Sequence, residues 1–313
     1  MDDPARWTHR MGAAELDDLR RAADALRGRS LSELRAEQLP TTTHLTAAAA
    51  RWRRALEDGP GFVLVRGVDV DASPEELELR YAILGLHVGT FVSQNRRGEL
   101  LTHIRDTGAD PHDPSTRLYT TRAEQEFHTD GADIIGLLCR RTARAGGVSR
   151  IVSSGAVVAE IARTRPDLYP ALFTDFPWHY QEAGMPRAAY FERPICVAHD
   201  TPAGARLNVF FIPWFIARAQ QLGDAPRLTE PQAAVVALVT ELANAPRFYL
   251  DMAFEPGDVQ WIKNAAILHK RTAYEDFDEP DQKRHLLRLW LNAPDSGDGD
   301  PKLRAGILER AVR

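Results

Sequence analysis

The sequence predicts a mainly β fold with α additions, a double-sheet jelly-roll barrel with N-terminal and inserted helices. Many short apolar runs of strand length are separated by turns that contain glycine or proline. Helical periodicity is gathered near the N-terminus and in a few later segments, and no internal repeat or linker divides the chain. We therefore expect one domain over residues 1–313, with a helical addition (1–58), a jelly-roll core with helical insertions (59–292) and a C-terminal tail (293–313).

Five helices are expected from apolar residues that recur every three to four positions, over residues 13–29, 45–57, from Ser73 onward, 155–165 and 230–244. Ser73 is a typical N-cap, and the proline that follows it suits the first helical position. The first two of these helices are expected to serve as scaffold.

Strands are expected at short apolar runs, over residues 62–65, 134–139, 150–153, 248–254, 259–262 and 285–291. Residues 190–211 alternate two β-rich runs around the turn Thr201-Pro202-Ala203-Gly204, which predicts a hairpin.

The composition is that of an ordinary globular protein, with 313 residues of which 44% are hydrophobic and 27% charged. A formal net charge of −5 gives no electrostatic reason to expect nucleic acid or an anionic membrane as a partner. Cys139 and Cys196 lie in apolar runs and lack the spacing of a zinc ribbon or a secreted disulfide framework. The N-terminus has no signal-peptide pattern, so we expect a soluble, cytoplasmic protein. The oligomeric state stays open.

The segment Glu126-Phe127-His128-Thr129-Asp130-Gly131 sets an imidazole and a carboxylate two residues apart. In an extended chain such side chains point to the same side, so His128 and Asp130 can bind one metal ion. A set of two histidines and one carboxylate leaves neighbouring coordination positions open, which suits an iron(II) centre that activates dioxygen.

His269 is the best candidate for the third ligand. It ends the apolar run 264–269 and is followed at once by Lys270 and Arg271. We expect a histidine at the end of a strand to lie at the mouth of a barrel, here on the wall opposite His128. An ordinary edge histidine remains the alternative, and four other histidines have weaker local cases: His103, His112, His179 and His285.

Arg284 and Arg288 lie in or beside the apolar run 285–291. An arginine in such a strand is costly unless its guanidinium meets an anion. The two positions differ by four, so in a regular strand both side chains face the same way. This predicts either two bound anions, one long anion, or a pair of structural ion pairs.

A polar stretch from Gly89 to Pro114 precedes the His-x-Asp segment. Long polar loops often border an active-site mouth, so Gln94 and Asn95 are candidates for contact with a substrate. Further polar or aromatic candidates are His103, Arg105, Tyr119 and Trp214.

The order of these motifs resembles the taurine dioxygenase (TauD/TfdA) family of Fe(II)/2-oxoglutarate-dependent oxygenases, with clavaminate synthase as a structural relative. The likeness extends from about residue 59 to residue 291, through Phe127-His128-Thr129-Asp130, Gly146-Gly147-Val148-Ser149, residues 264–269, Arg284 and Arg288. It implies a double-stranded β-helix fold and His128, Asp130 and His269 as the iron ligands.

The resemblance also implies the cosubstrates and the reaction. Arg284, assisted by the hydroxyl of Ser149, would bind the distal carboxylate of 2-oxoglutarate, and Arg288 would bind an acidic group of the substrate. With O2, such an enzyme oxidises, most often hydroxylates, an unactivated C–H bond of a small acidic or amino-acid-like molecule and releases succinate and CO2.

Two other classes of protein use similar residues. A zinc-dependent hydrolase holds its metal with the same three ligands and activates water, but it gives no role to two inward-facing arginines. A non-catalytic, cupin-like metal-binding protein is the third possibility.

Overall fold

The computed structural model describes residues 3–95, 97–113, 116–179, 190–201 and 204–293. Its α-helices are α1 (Ala13–Leu26), α2 (Thr43–Glu57), α3 (Pro74–Leu86), α4 (Ser154–Thr164), α5 (Pro213–Ala219) and α6 (Glu230–Ala243). Its strands are β1 (Thr8–Arg10), β2 (Phe62–Arg66), β3 (Thr90–Phe91), β4 (Leu101–Ile104), β5 (Gln125–His128), β6 (Ile134–Arg141), β7 (Ala145–Gly146), β8 (Ser149–Ser153), β9 (Asp175–His179), β10 (Tyr190–Pro194), β11 (Cys196–Thr201), β12 (Gly204–Val209), β13 (Tyr249–Met252), β14 (Val259–Lys263), β15 (Ile267–Arg271), β16 (Tyr274–Glu275) and β17 (His285–Asn292).

Two sheets carry the core of the fold. The larger has the order β1-β2-β14-β6-β17-β3, with β4 also paired to β17, and the smaller has the order β13-β8-β15-β5. Apolar side chains from both sheets form one buried cluster that includes Phe62, Ile135, Trp290, Ile151 and Met252. The two sheets therefore pack together, which confirms the mainly β, double-sheet architecture predicted from the sequence.

The N-terminal helices extend the core on the larger sheet. Leu19 of α1 and Trp52 of α2 belong to the same buried cluster as Trp261 of β14. Ser73 caps α3 as expected, because its hydroxyl accepts a hydrogen bond of 3.2 Å from the backbone N–H of Glu76. The helical addition is thus packed onto the sheet and does not form a separate unit.

Helices α4 and α6 cover the smaller sheet. Val157 of α4 and Val239 of α6 share a buried cluster with Phe127 of β5 and Leu268 of β15. Burial of this face fixes the orientation of β5 and β15, so their alternate side chains point to the other face, toward the space between the sheets.

The predicted hairpin within residues 190–211 is formed by β11 and β12, which are antiparallel neighbours. Strand β10 pairs with β9 instead. The C-terminal tail, apart from Ala293, lies outside the described residues. None of the helices in the described part of the chain combines the length and the apolar character that crossing a bilayer requires.

Candidate metal and cosubstrate site

His128, Asp130 and His269 converge on one point at the edge of the smaller sheet. His128 ends β5 and lies directly opposite His269 on the neighbouring strand β15. Asp130 follows two residues after His128. The Nε2 atom of His128 is 3.9 Å from Asp130 Oδ1, and that of His269 is 3.7 Å from Asp130 Oδ2. One ligand atom from each residue lies within 4.8 Å of the other two, which is a suitable separation for binding a single ion.

The structure places His269 differently from the sequence prediction. It is the central residue of β15, and Lys270 and Arg271 continue the strand as buried residues. The prediction of a strand end on the opposite wall was wrong. Lys270 can be buried because its ammonium donates a hydrogen bond of 2.8 Å to Asn244 Oδ1 and pairs with Glu124. The polar residues after His269 therefore do not begin a loop.

The imidazole of His128 is oriented by its own segment. Its Nδ1 donates a hydrogen bond of 2.8 Å to the backbone carbonyl of Glu126, so the lone pair is on Nε2. In this structure that lone pair accepts a hydrogen bond of 3.1 Å from Gln125 Nε2, a contact that a bound metal would replace. Burial, together with the neighbouring His269, lowers the pKa of His128 to about 3. The ring is therefore neutral at ordinary pH, as a metal ligand must be. The indole of Trp214 packs against it, with ring centroids 5.0 Å apart.

Asp130 is fixed through both its side chain and its backbone. Its Oδ2 accepts hydrogen bonds of 3.1 Å from Arg288 Nη1 and of 3.1 Å from Trp290 Nε1. Asn264 bonds to the backbone N–H and C=O of Asp130, each at 2.8 Å. Burial acts to raise the pKa of Asp130, but Arg288 and the two imidazoles outweigh it and hold that pKa well below its usual range.

Thr129 separates the two ligands in sequence and faces away from the ion. Its Oγ1 accepts a hydrogen bond of 3.0 Å from the N–H of Phe211, and its own N–H donates to the C=O of Phe211 at 2.8 Å. The chain around Asp130 is therefore held to its neighbour on one side by Thr129 and on the other by Asn264.

The donor set fits iron(II). Two neutral imidazoles and one ionised carboxylate are the ligands that non-haem iron oxygenases use. His269 Nδ1 is buried without a hydrogen-bond partner among the described residues. Unlike the tautomer of His128, the tautomer of His269 is therefore not fixed by a hydrogen bond from Nδ1.

A small cavity of about 50 Å³ opens behind the three ligands and is bordered by Ser149 and Arg284. Arg284 is 4% exposed, and its Nη1 has no hydrogen-bond partner among the described residues. The hydroxyl of Ser149 donates a hydrogen bond of 3.0 Å to Gln260 Oε1. Ser149 and Arg284 thus border one cavity, and a buried guanidinium nitrogen with no partner among the described residues can bind an incoming carboxylate.

Arg288 borders this cavity and a larger one, but two of its nitrogens are already engaged. Besides Nη1 to Asp130, its Nε donates to Gln94 Oε1 at 2.7 Å. Its remaining nitrogen, Nη2, makes no hydrogen bond within the described residues. Only that nitrogen is left for the substrate anion that the sequence assigns to Arg288.

Gln94 and Asn95 do not line either cavity in the described part of the chain. The Gln94 amide is fully used, because it also donates to the backbone carbonyls of Leu100 and Arg288, each at 2.9 Å. Asn95 forms an outer turn in which its Oδ1 accepts the N–H of Arg97 at 2.9 Å. Their predicted contact with substrate therefore has no counterpart in the structure: Gln94 positions Arg288, and Asn95 shapes a loop.

The larger cavity has a volume of about 650 Å³ and lies over His128 and Asp130. Tyr119 and Trp214, both noted in the sequence, are among its walls. Basic side chains also line it, namely His112, Arg117, His179, Arg218 and Arg288. Its size is that of a site for a small molecule.

Sequence reasoning missed Asn264, Arg271 and Arg218. A signal existed for Arg271, because it lies two residues after His269 and so shares a face with it in an extended strand. Asn264 begins the same run as His269 but reads as an ordinary turn residue. Nothing in the sequence brings Arg218 near the metal ligands, because α5 reaches the cavity only through the tertiary fold.

A double-sheet jelly roll that holds two histidines and an aspartate beside a basic cavity defines a non-haem iron oxygenase. The chain belongs to the taurine catabolism dioxygenase TauD, TfdA family, whose model matches residues 27–290. It is an Fe(II)- and 2-oxoglutarate-dependent oxygenase, as the resemblance implied. This membership decides against the zinc hydrolase and the cupin-like binding protein that the sequence left open.

Relatives support the same assignment. FR-33289 synthase from Streptomyces rubellomurinus (strain ATCC 31215) is 28% identical over 307 residues, which cover 93% of this chain and 87% of that protein. A crystal structure of asparagine oxygenase with Fe(II), 2S,3S-3-hydroxyasparagine and succinate has a TM-score of 0.66 at 15% identity and covers 92% of this chain and 94% of its own. The non-heme iron oxygenase OrfP, in complex with Fe and alpha-ketoglutaric acid, has a TM-score of 0.63 at 15% identity, over 91% and 94%. At these identities the two structures show a shared fold.

Proposed function

We propose that His128, Asp130 and His269 hold the iron and that the enzyme hydroxylates a C–H bond of a small anionic or amino-acid-like substrate in the 650 Å³ cavity. The observation that carries the substrate class is the basic lining of this cavity beside the metal ligands. Bound iron, with 2-oxoglutarate and O2, supplies the oxidising chemistry, and the chain supplies position and charge.

Arg218 is the residue on which the anion argument rests. It is half-buried at the end of α5, and within the described residues its guanidinium makes no hydrogen bond or ion pair. Burial, together with the charge of Arg117, lowers the pKa of Arg218, so the two guanidiniums lie close enough to repel each other. A substrate anion placed near them would relieve that repulsion, and the desolvated setting would strengthen the contact.

The same cavity accommodates an amino acid as well as a simple anion. Asp113 lines it and offers a carboxylate in addition to the arginines. Structures of asparagine oxygenase and of OrfP hold hydroxylated asparagine and hydroxylated arginine respectively. A zwitterion that places its carboxylate toward Arg218 and keeps a C–H bond over His128 and Asp130 is consistent with these features.

The chain's own residues have three tasks in this proposal. Asp130 stays ionised through Arg288 and Trp290, and His128 keeps its Nε2 lone pair toward the ion through its bond to Glu126. Arg284 binds the far end of 2-oxoglutarate, with Ser149 beside it. The remaining nitrogen of Arg288 and the walls of the larger cavity orient the substrate.

The test has two stages. Anaerobic addition of Fe(II) and 2-oxoglutarate to the protein should give the weak visible charge-transfer band of the chelate. Succinate release should then be stimulated by members of a panel of small carboxylates, sulfonates, phosphonates and amino acids, and not by their neutral amides or esters. Stimulation by neutral compounds alone would contradict the anionic substrate class.

The variant Arg218→Gln tests the anion contact within the succinate-release assay. It should raise the concentration of the active compound needed for half-maximal succinate release by about tenfold or more, since one charge-assisted contact is lost. Arg247→Gln is the matched control, because Arg247 pairs with Glu160 and does not line the cavity. Equal behaviour of the two variants would remove Arg218 from the substrate site.

A further inference from the structure

Arg271 brings a second buried guanidinium to the small cavity behind the metal ligands. It ends β15 two residues after His269, is 7% exposed, and borders the same 50 Å³ space as Arg284. Within the described residues only one of its nitrogens is engaged: Nη2 donates to the backbone carbonyl of Ala123 and, at 3.4 Å, to that of Leu118.

Three guanidinium nitrogens at this cavity are buried and have no hydrogen-bond partner among the described residues. They are Nε and Nη1 of Arg271 and Nη1 of Arg284. Leaving the buried donors of a charged group unsatisfied is costly, so a site that keeps three of them together is arranged for a ligand.

Both guanidiniums lie against the same aromatic ring. The Cζ atoms of Arg271 and Arg284 lie 4.9 Å and 5.0 Å from the centroid of Tyr274. The protein therefore buries two like charges against one tyrosine, at the border of one cavity.

Two aspartates act on these charges from beyond ion-pair distance, Asp276 on Arg284 and Asp106 on Arg271. Asp276 accepts the backbone N–H of Arg284 at 2.7 Å, but neither it nor Asp106 forms an ion pair with either guanidinium. The missing partner must be an anion small enough for a 50 Å³ cavity and able to accept several hydrogen bonds. A carboxylate meets both conditions.

We infer that Arg271 and Arg284 together bind the distal carboxylate of 2-oxoglutarate, so that the cosubstrate site has two arginines. This inference rests on the proposed role of Arg284 and deepens it. Arg271 also donates hydrogen bonds to the backbone carbonyls of Leu118 and Ala123. The arginine pair would therefore connect the cosubstrate to the segment that carries Tyr119 into the substrate cavity.

Binding measurements can test this without turnover. Calorimetry on protein loaded anaerobically with Co(II) would compare 2-oxoglutarate with 2-oxopentanoate, which has the same keto-acid end and a methyl group instead of the distal carboxylate. We expect Arg271→Gln to weaken 2-oxoglutarate about 10- to 100-fold, as for the loss of a charge-assisted hydrogen bond, and to leave 2-oxopentanoate unchanged. Arg271→Lys, which keeps the charge but not the planar fork, should fall between.

The control is Arg150→Gln. Arg150 also lies over a tyrosine ring, 3.7 Å from the centroid of Tyr249, but it pairs with Asp251 away from the cavity. It should change the affinity for neither keto acid. Melting temperatures of all variants check that the fold is kept, and Arg271→Lys carries the test if Arg271→Gln does not fold.

The outcomes separate the inference from the function on which it rests. If Arg271→Gln weakens both keto acids equally, or neither, Arg271 does not contact the distal carboxylate and only its structural bonds matter. If the unsubstituted protein itself does not prefer 2-oxoglutarate to 2-oxopentanoate, the proposed cosubstrate site fails as a whole.

Discussion

His128 and His269 lie directly opposite each other on hydrogen-bonded strands, with ring centroids 4.3 Å apart. Two of the three proposed iron ligands are therefore held by the register of the smaller sheet. A slip of one residue between β5 and β15 would turn one imidazole to the other face of the sheet. The helices that bury the opposite face prevent such a slip, so the metal site depends on the packing of α4 and α6.

Replacing His269 by alanine should remove metal binding while the fold persists. Calorimetric titration with Co(II) under anaerobic conditions should show one binding site in the unsubstituted protein and none in His269→Ala. The far-ultraviolet circular dichroism should be alike for both. His44→Ala, at an exposed position of α2, is the control and should bind one ion. Unchanged metal stoichiometry in His269→Ala would move the third ligand elsewhere.

Asn264 should affect metal affinity although it does not touch the ion. Asn264→Ala removes both hydrogen bonds to the backbone of Asp130, so the carboxylate is less well placed. Loss of such a supporting residue typically lowers metal affinity about 10- to 100-fold. The free energy of unfolding should also fall by about 1–3 kcal/mol, because buried groups lose their partners.

The control for this substitution is Asn244→Ala. Asn244 is also hydrogen bonded, to Lys270 and to the carbonyl of Thr240, but it lies at the end of α6. It should cost stability and leave the affinity for Co(II) unchanged. Metal binding equally weakened in both variants would mean that the effect of Asn264 is general destabilisation.

The pattern of the sequence was sufficient to predict local structure and the closeness of the first two proposed ligands. The N-cap at Ser73 and the hairpin of β11 and β12 depend on residues close in sequence, and so does the same-face placement of His128 and Asp130. The prediction for His269 identified a residue that the structure does bring to the site, but for a wrong reason. Whether Lys270 is a strand or a loop residue depends on Asn244 and Glu124, and those contacts are tertiary.

Gln94 is a second residue whose contacts cannot be predicted from the local sequence. A polar residue in a long polar stretch suggests an open site, yet its amide is buried against Arg288. Pairing of β4 and β3 with β17 brings this stretch onto the arginine, and strand pairing at that separation cannot be read from local periodicity. The arginine pair of Arg271 and Arg284 was missed because Arg271 ends β15 and Arg284 precedes β17, and only the tertiary fold brings both to Tyr274.

Acid should destabilise this protein partly through His285. Burial, together with the charges of His103 and Arg141, lowers the pKa of His285 from its ordinary 6.5 to about 3. Between those values the unfolded chain binds a proton that the folded protein does not, so stability is present above pH 6.5 and is lost as the pH falls. From pH 7.5 to 5.5 this residue alone should remove about 1 kcal/mol from the free energy of unfolding.

Urea unfolding at both pH values would measure this contribution. His285→Gln cannot titrate, so its free energy of unfolding should fall about 1 kcal/mol less over the same interval. His44→Gln, at an exposed site, should keep the full pH dependence of the unsubstituted protein. Parallel curves for His285→Gln and the unsubstituted protein would show that His285 does not carry this acid sensitivity.

Gly147 should control the position of Arg284. Its φ is +67°, and a Cβ atom built there would lie 2.9 Å from Arg284 Nε and 3.2 Å from Arg284 Cδ. Gly147→Ala should therefore displace the guanidinium from the cosubstrate cavity and lower the affinity for 2-oxoglutarate about tenfold or more. Gly98→Ala is the matched control, because Gly98 has a φ of +76° but no atom within 4 Å of the added methyl group. Both substitutions should cost about 1–2 kcal/mol of stability from the left-handed backbone, and only Gly147→Ala should weaken 2-oxoglutarate in calorimetry. If the two variants bind 2-oxoglutarate equally well, Arg284 either tolerates the added methyl group or does not bind the distal carboxylate. Arg284→Gln would then distinguish these two explanations. If Arg284 does not bind the distal carboxylate, the Arg284→Gln variant should keep the affinity of the unsubstituted protein for 2-oxoglutarate.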